Sequence, residues 1–464
     1  MSDDVSSLPP DSGPGTGPGP GQGAPVSRGQ AAAPGAGTGT GVTSGTAAPD
    51  GGAPGQTRAQ ALTRAIIEAV TQGSPAVVTV LAIFLALVLG GLIIAFSDTT
   101  VLHAWGSFFS APGAAISAAW QSVAAAYSAL FEGAIVNPHT IAAAFNGGPV
   151  GAIFYPLSQT ASQATPLILT GLAVALAFRA GLFNIGAASQ WIGGAIIVAY
   201  LGFAVSLPPV IHAIVCLAGG FAGGAVLGWL VGGLKARTGA HEVIVTIMLN
   251  YVMYDLLSYL LGTPTALQLP GQANLTSPNI AVSAQLPHVG GPPPQVGVGF
   301  LVALAAAAGV WWLLARSTVG FEFRTVGANP NAARSGGMSV GRTWVLVMLL
   351  AGGLAGLSGA VAIQGTFYSL NFQSYGTYGI TGITVALLGR ARPLGVVLAA
   401  LLFGALDAGS TVMQAATSVP VDITEVIQGL IVLFVAAPPL IRAVFRLRQT
   451  RAAGMEAVAK GWNG

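Results

Sequence analysis

Apolar runs of roughly twenty residues, divided by short polar breaks, recur from residue 75 to residue 441. A helix needs about 20 such residues to cross the hydrocarbon core of a bilayer. The pattern predicts membrane helices near 75–96, 158–178, 184–204, 209–231, 242–261, 298–315, 343–364, 376–389, 394–413 and 425–441. The fold class is therefore all-α, a polytopic membrane helix bundle of about ten spans. Two stretches fit less well. The 376–389 run is short and follows Gly365-Thr366-Phe367-Tyr368 and the Gly/Tyr-rich Tyr375-Gly376-Thr377-Tyr378-Gly379. That is the pattern of a broken or re-entrant helix, which a membrane tolerates only where it lines a protein cavity. The 101–131 stretch is moderately apolar but carries His103, Pro112 and Gln121, so it is expected to be an extracytoplasmic amphipathic piece rather than a span. The 262–297 stretch, with Pro264, Pro270, Pro278, Pro287 and Pro292 to Pro294, is expected to be an exposed outer loop, either a connector or a docking place for a delivery protein.

Outside the apolar runs, residues 1–56 are Gly, Pro, Ala, Ser and Thr with hardly an apolar side chain. Such a segment buries too little surface to offset its ordering entropy and is expected to be disordered. It lacks the basic start and apolar core of a signal peptide. The remainder divides into a membrane domain over 57–445 and a short tail over 446–464.

Composition supports the membrane class: 464 residues are 53% hydrophobic and 7% charged, against about 25% charged in soluble domains. Charge position adds orientation. Lys and Arg cluster at Arg58 and Arg64, at Arg179, at Lys235 and Arg237, in 316–342, at Arg390 and Arg392, and from Arg442 onward. The connections at 97–157, 205–208, 262–297, 365–375 and 414–424 contain neither. Basic residues at every second connection place those connections, and both termini, on the cytoplasmic side. The net charge of +3 is spread over short loops and does not indicate nucleic acid. A single cysteine, Cys216, excludes a disulfide framework or a cysteine metal site. There is no G-x-x-x-x-G-K-[ST] loop, and the only lysines are Lys235 and Lys460, so P-loop hydrolysis of ATP is not expected of this chain. It is expected not to be an enzyme and to hold no cofactor or metal of its own.

Three polar features interrupt the apolar pattern. Glu242, Thr246, Asn250, Tyr254 and Ser258 recur every four residues and so form one stripe along a spanning helix. Such a stripe faces protein or water rather than lipid, as part of a pathway or as interhelical hydrogen bonding. Asp255, offset from the stripe, and Asp407, with Ser410, Thr411 and Gln414 nearby, are intramembrane carboxylates and functional candidates for that reason. They also admit an ion-coupled secondary transporter. Between two spans, Phe178 to Gln190 holds Asn184 and Gln190 among small residues, suited to bonding across a bundle or to a ligand. The third feature is the basic island Gly320 to Arg342, flanked by Arg316. There Asn329 suits an N-cap, Pro330 the first helical position, Ala332 and Ala333 the following turn, and Gly336 with Gly337 the end. A short capped helix with an alanine face is suited to docking into another protein's groove.

These same residues carry a family resemblance. Gly320-Phe-Glu-Phe-Arg324-Thr-Val-Gly327-Ala-Asn329-Pro330-Asn-Ala332-Ala333-Arg334, followed by Ala351-Gly-Gly-Leu-Ala-Gly-Leu-Ser-Gly-Ala360, resembles the membrane subunits of ABC importers. The likeness is to the branch that moves simple sugars, branched-chain amino acids and, most closely, nucleosides. Phe183-Asn-Ile-Gly-Ala-Ala-Ser-Gln190 resembles that branch's F-N-I-G-A-E-G-Q, with Ala188 and Ser189 in place of Glu and Gly. Gly239 to Tyr251 resembles G-x-N-E-V-I-x-T-I-M-L-N-Y, with His241 for Asn. Ala386-Leu-Leu-Gly-Arg-Ala-Arg-Pro-Leu-Gly395, Leu402-Phe-Gly404 and Val426-Ile-Gln-Gly-Leu-Ile431 resemble its late motifs, so the likeness runs from about residue 165 to 440. It implies a pathway-forming permease in the plasma membrane, paired with a second permease subunit, alike or different. It further implies separate ATP-binding cassette subunits that bind ATP and Mg, and an extracytoplasmic substrate-binding lipoprotein. Arg324, Gly327, Asn329, Pro330, Ala332, Ala333 and Gly336 fall on the segment resembling the coupling element. Asn184, Gln190, Glu242, Thr246, Asn250, Tyr254 and Asp407 are the pathway candidates. By resemblance the substrate is a nucleoside or purine-like compound, with ribose-type sugars second and branched-chain amino acids third.

Overall fold

The computed structural model describes residues 75–106, 108–263, 267–268, 275–289, 296–372, 376–417 and 419–446. Expectations for the 1–56 tail, Arg58, Arg64, Pro264, Pro270, Pro292 to Pro294, Tyr375 and the C-terminal tail beyond Arg446 fall outside these residues. The described residues are helical apart from connections and one two-residue antiparallel pair, His288–Val289 with Val296–Gly297.

Pro75–Ser97 (α1) is followed by Thr99–Gly106 (α2), Pro112–Ala134 (α3) and Pro138–Phe145 (α4). Tyr155–Arg179 (α5), Ala187–Ala204 (α6), Pro209–Thr238 (α7) and Glu242–Gly262 (α8) come next, then Val298–Arg316 (α9), Thr318–Ala328 (α10), Pro330–Ser335 (α11) and Val340–Ala362 (α12). Gly376–Leu388 (α13), Pro393–Thr417 (α14), Asp422–Ala436 (α15) and Pro438–Val444 (α16) complete the bundle. Eighteen of the 25 residues of α5 are buried, so this helix forms the centre around which the others pack. Its internal Pro166 is tied into the bundle, since the Ser358 hydroxyl on α12 donates to the Pro166 carbonyl at 2.8 Å.

The tightest seam joins α7 to α12. Gly220, Gly224, Gly228 and Gly232 lie one turn apart on α7 and meet Met348, Gly352, Gly356 and Ala360 on α12. A Cβ on Gly224 would overlap the Gly352 carbonyl oxygen, and one on Gly228 the Met348 carbonyl oxygen. Between membrane helices there is no gain from hiding apolar groups from water, and close backbone approach of this kind supplies the packing instead.

Among the described residues nine helices are long and apolar enough to cross a membrane, or ten when α15 and α16, bent by 92° to each other, count as one. The set differs from the expected one in three places. First, the 101–131 stretch, expected to be an amphipathic piece packed on the bundle rather than a span, holds most of α3, whose 23 residues meet the length of a span at the lowest hydropathy of the nine. Ser122 in the middle of α3 donates to Asp98 past the end of α1, Tyr127 donates to the Leu87 carbonyl in the middle of α1, and the Ala134 carbonyl accepts from Thr160 near the start of α5. Second, α13 has 13 residues and is too short to cross alone, so 376–389 drops out as a full span in keeping with its pattern of a broken or re-entrant helix. The chain before it unwinds through a π-turn at Ile363–Phe367 and Tyr368, whose φ is +56°. Third, the expected 425–441 span breaks at Ala437, because consecutive prolines at 438 and 439 end α15 and restart the chain in a new direction.

The 262–297 stretch is also corrected. Its longest described part, 275–289, is only partly exposed: Leu275 and Val282 face out, but Ser277, Ile280, Ala284 and Leu286 are buried. The reason lies in the unwound segment it covers. Ser277 N donates to Leu370 O at 2.8 Å, Ile280 N to Tyr368 O at 2.8 Å, and Leu286 N to Gln364 O at 3.0 Å. Carbonyls released by a broken helix inside a membrane need such partners.

Candidate functional site

The cationic residues of the described loops gather at one end of the bundle. Arg179 closes α5 and donates from Nε to Ala391 O at 2.8 Å. That bond holds a strained turn, in which Arg390 and Ala391 both have positive φ, at 54° and 50°. Lys235 at the end of α7 pairs with Glu242 at the start of α8 at 2.6 Å and lies over the Trp344 ring, 4.8 Å from its centroid.

The basic island lies at this same end and is more structured than a loop. Residues 318–328 form α10, capped by Ser317, whose hydroxyl accepts from Gly320 N at 2.9 Å. The expected N-cap at Asn329 is present: its side-chain oxygen accepts from Asn331 N at 3.0 Å and Ala332 N at 3.1 Å, opening α11. Pro330 holds the first position of α11, and the helix ends at Gly336 with Gly337 at φ +82°. Ala333 is buried against Val326 and Val340, while Ala332 and Arg334 are exposed. Arg324 is exposed on α10. Gly327 faces inward, where its Cα lies against the backbone of Arg179 to Gly181 at the end of the central helix. Two stretches distant in sequence, the end of α5 and the α10–α11 turn, therefore meet backbone to backbone.

The polar stripe of α8 turns inward. Glu242 accepts from Phe183 N at 3.4 Å besides pairing with Lys235, so it joins α7, α8 and the loop before α6. Thr246 is buried, its hydroxyl donating back to Glu242 O at 2.8 Å, and it packs on Gly186. Asn250 accepts from Ser189 N at 3.0 Å and donates to Ile185 O at 3.0 Å, completing the first turn of α6. Asn184 and Gln190 are buried and bond to each other reciprocally, at 2.8 and 3.2 Å. Tyr254 packs against Phe372 of the unwound segment, with centroids 4.7 Å apart and the rings tilted by 57°. Asn184, Gln190, Thr246 and Asn250 thus form one interlocked junction. Leaving a buried hydrogen-bonding group without its partner costs about 1–3 kcal/mol. Asn250→Leu, which strands Ser189 N and Ile185 O, is therefore expected to lower the thermal unfolding midpoint by several degrees. Uptake lost at an unchanged midpoint would instead place Asn250 in contact with substrate.

Asp407 and Asp255 lie in different surroundings. Asp407 accepts from Gln428 Nε2 at 2.7 Å and lines a cavity of about 450 Å3 with Gln163, Tyr378, Thr424 and Glu425. Phe367 and Asn371 of the unwound segment form part of its wall, which is where irregular backbone is tolerated in a membrane protein. Asp255 does not line that cavity; it is exposed on the outer face of α8, among Tyr251, Val252 and Tyr259. Only 17% of the apolar stretch of α8 is buried, the least of the long helices described.

Gln163, Thr424 and Glu425 carry no signal in the sequence, and Tyr378 shows there only as part of a broken helix lining a cavity; the fold brings all four to Asp407 from three other helices. No periodicity within one helix links them. The glycine seam was passed over, although its signal stood in the sequence as four glycines spaced by four.

Comparison with known proteins extends the likeness to most of the chain. Residues 157–436 match the family model described as the permease component of branched-chain amino acid transport systems. A guanosine ABC transporter permease protein of Bacillus subtilis is 38% identical over 70% of this chain and 88% of its own length. A glucose ABC transporter permease protein of Haloferax volcanii is 36% identical over 60% of this chain and 76% of its own. A nucleoside ABC transporter permease protein of Lactococcus lactis is 34% identical over 62% of this chain and 81% of its own. No solved structure matches.

Proposed function

Since the chain belongs to the family of permease components of branched-chain amino acid transport systems, we propose that it is the nucleoside permease of an ATP-driven importer whose ATP-binding subunits dock on α10 and α11. An ABC permease in the plasma membrane is the frame that family, similarity and membrane helices supply. The observation that carries the docking reading is the α10–α11 turn. It offers a rigid, Asn329-capped helix with Ala332 outward, and it is fastened at Gly327 to the backbone of the central helix. Motion of a docked subunit would pass through that contact to the end of α5 without any flexible linker. Such a helix shift between packed states is a recurrent way of switching a cavity from one side to the other. ATP and Mg would be held by those subunits.

The basic end that bears these elements is assigned to the cytoplasm, which puts both termini there as well. The outer face of α8 supports a second permease subunit. A carboxylate such as Asp255 is costly against lipid, and a partner covering the face would enclose it beside a pathway between the two. A substrate-binding lipoprotein would deliver from the other side. Nucleoside ranks first as substrate because the guanosine relative is matched over 88% of its length, against 76% for the glucose relative; sugars rank second.

Ala332→Asp tests the docking reading. An aspartate on the exposed face of α11 leaves the buried Ala333 contact intact, so the permease is expected to fold normally. Pulled from its native membrane, the variant should no longer carry an ATP-binding subunit, and nucleoside uptake should fall by at least about tenfold, equivalent to about 1.4 kcal/mol of barrier. Recovery of the wild-type chain alone, transporting under a proton gradient in proteoliposomes, would favour ion coupling through Asp407 or Asp255 instead.

A further inference from the structure

We infer that the groove between the basic ends of α7 and α12 is a binding site for one anionic phospholipid. The groove encloses about 500 Å3. Arg237 and Arg342 stand at its mouth, and no acidic residue lines it. Neither arginine makes an ion pair among the described residues, where the one ion pair is Lys235 with Glu242. Lys235 is thereby engaged with Glu242 and Trp344 and leaves the two guanidinium groups as the free cations of this corner.

Below the mouth the chemistry changes. Leu230, Leu234 and Val345 form apolar walls, and half-exposed Trp229 continues the apolar lining along α7. Eight residues separate Arg237 from Trp229 along α7, about 12 Å of helix. Over that distance the groove passes from two positive charges to hydrocarbon, at the level where a spanning helix leaves the bilayer core. A free anion would use the arginines and leave the walls idle. An apolar protein segment would leave two charges unmet. A headgroup phosphate with an acyl chain beneath it satisfies both parts, and basic pockets between membrane helices favour such lipids. The floor is open for the chain because Gly233 has no side chain: a Cβ there would meet nothing within 4 Å.

The inference does not depend on what the permease carries, and its test uses neither substrate nor ATP. The full chain, purified in neutral detergent, is titrated with dioleoyl phosphatidylglycerol, with dioleoyl phosphatidylcholine and with inorganic phosphate while its thermal unfolding is followed. Phosphatidylglycerol is expected to raise the midpoint by about 3 °C more than phosphatidylcholine, with phosphate alone giving no rise. The double variant Arg237→Gln with Arg342→Gln, exposed at both positions, should fold normally and lose the difference between the two lipids. Gly233→Leu, which fills the floor while keeping both arginines, should lose it too. A rise with phosphate equal to that with phosphatidylglycerol would mean an anion site without a lipid. Equal shifts for both lipids in the wild type, or an undiminished preference in both variants, would overturn the assignment. Variants that change the oligomeric mass but not the lipid preference would make the groove a contact between copies of the chain.

Discussion

Replacing Gly228 with leucine is expected to leave little folded permease to purify. The position lies at the middle of the α7–α12 seam, where an added Cβ would overlap the Met348 carbonyl oxygen and come within 2.8 Å of its carbon. Backbone atoms of a packed helix cannot swing aside as a side chain can. Overpacking of a core costs about 1–3 kcal/mol where side chains yield, and more is expected where the obstacle is another helix's main chain. Total stabilities of about 5–15 kcal/mol leave small room for that. Gly233→Leu supplies the control on the same helix, since nothing lies within 4 Å of its Cβ position. Size-exclusion profiles of the two variants, expressed side by side, check the claim. Gly233→Leu should give the wild-type peak, and Gly228→Leu should give aggregate or a peak several-fold smaller. Equal monodisperse yields would mean that the seam opens at low cost.

Gly327→Val is expected to separate folding from transport. A valine Cβ there would overlap the Arg179 carbonyl oxygen and lie within 2.9 Å of Ala180 Cα, so α10 must lift from the end of α5. The disturbance is confined to the basic end, far from the α7–α12 seam at Gly224 and Gly228, and the bundle should assemble. Uptake in membrane vesicles should fall at least about tenfold, the effect of about 1.4 kcal/mol on the limiting barrier. ATP hydrolysis by the assembled complex should fall less, because α11 and its exposed Ala332 remain available for docking. An unchanged uptake rate would show that the backbone contact between α10 and α5 does not carry the motion. Loss of the protein itself would assign Gly327 to stability alone, a result that the size-exclusion profile separates from the first.

The arrangement also divides the polar residues of the membrane domain by what they touch. Asn184 and Gln190 spend their hydrogen-bonding groups on each other, Asn250 on backbone around the start of α6, and Thr246 on the backbone of its own helix, where it packs on Gly186. Asp407 gives one oxygen to Gln428 and keeps its place on the wall of an open cavity. The first group supports geometry, since it holds the break between α5 and α6 against α8. Asp407, with Glu425 on the same cavity, and Asp255 on the outer face of α8 are carboxylates that the fold leaves in reach of a ligand, from two separate surfaces.

The sequence by itself determined the class, the near-regular alternation of spans and the side of the bundle that carries charge. These follow from local quantities: the length of an apolar run, the position of arginines between runs, and the identity of residues at a helix cap. The Asn329 cap and the Gly336–Gly337 stop of α11 were legible for the same reason, because cap chemistry needs only neighbours three or four residues away. The inward turn of the α8 stripe was legible from its period of four. Where the structure decided, the deciding interactions were distant in sequence. The 275–289 stretch reads as a proline-bearing outer loop until the unwound residues 364–370 present carbonyls to which its backbone donates. A moderately apolar α3 has the length of a span, and what seats it on the bundle, its contacts with Asp98, Leu87 and Thr160, lies on other elements. Gly327 reads as one more small residue of a loop until α10 is laid across Arg179. Asp407 gains Gln163, Tyr378 and Thr424 from other helices. Each of these depends on which backbone approaches which, and close approach between membrane helices is a property of paired surfaces that no single apolar run contains.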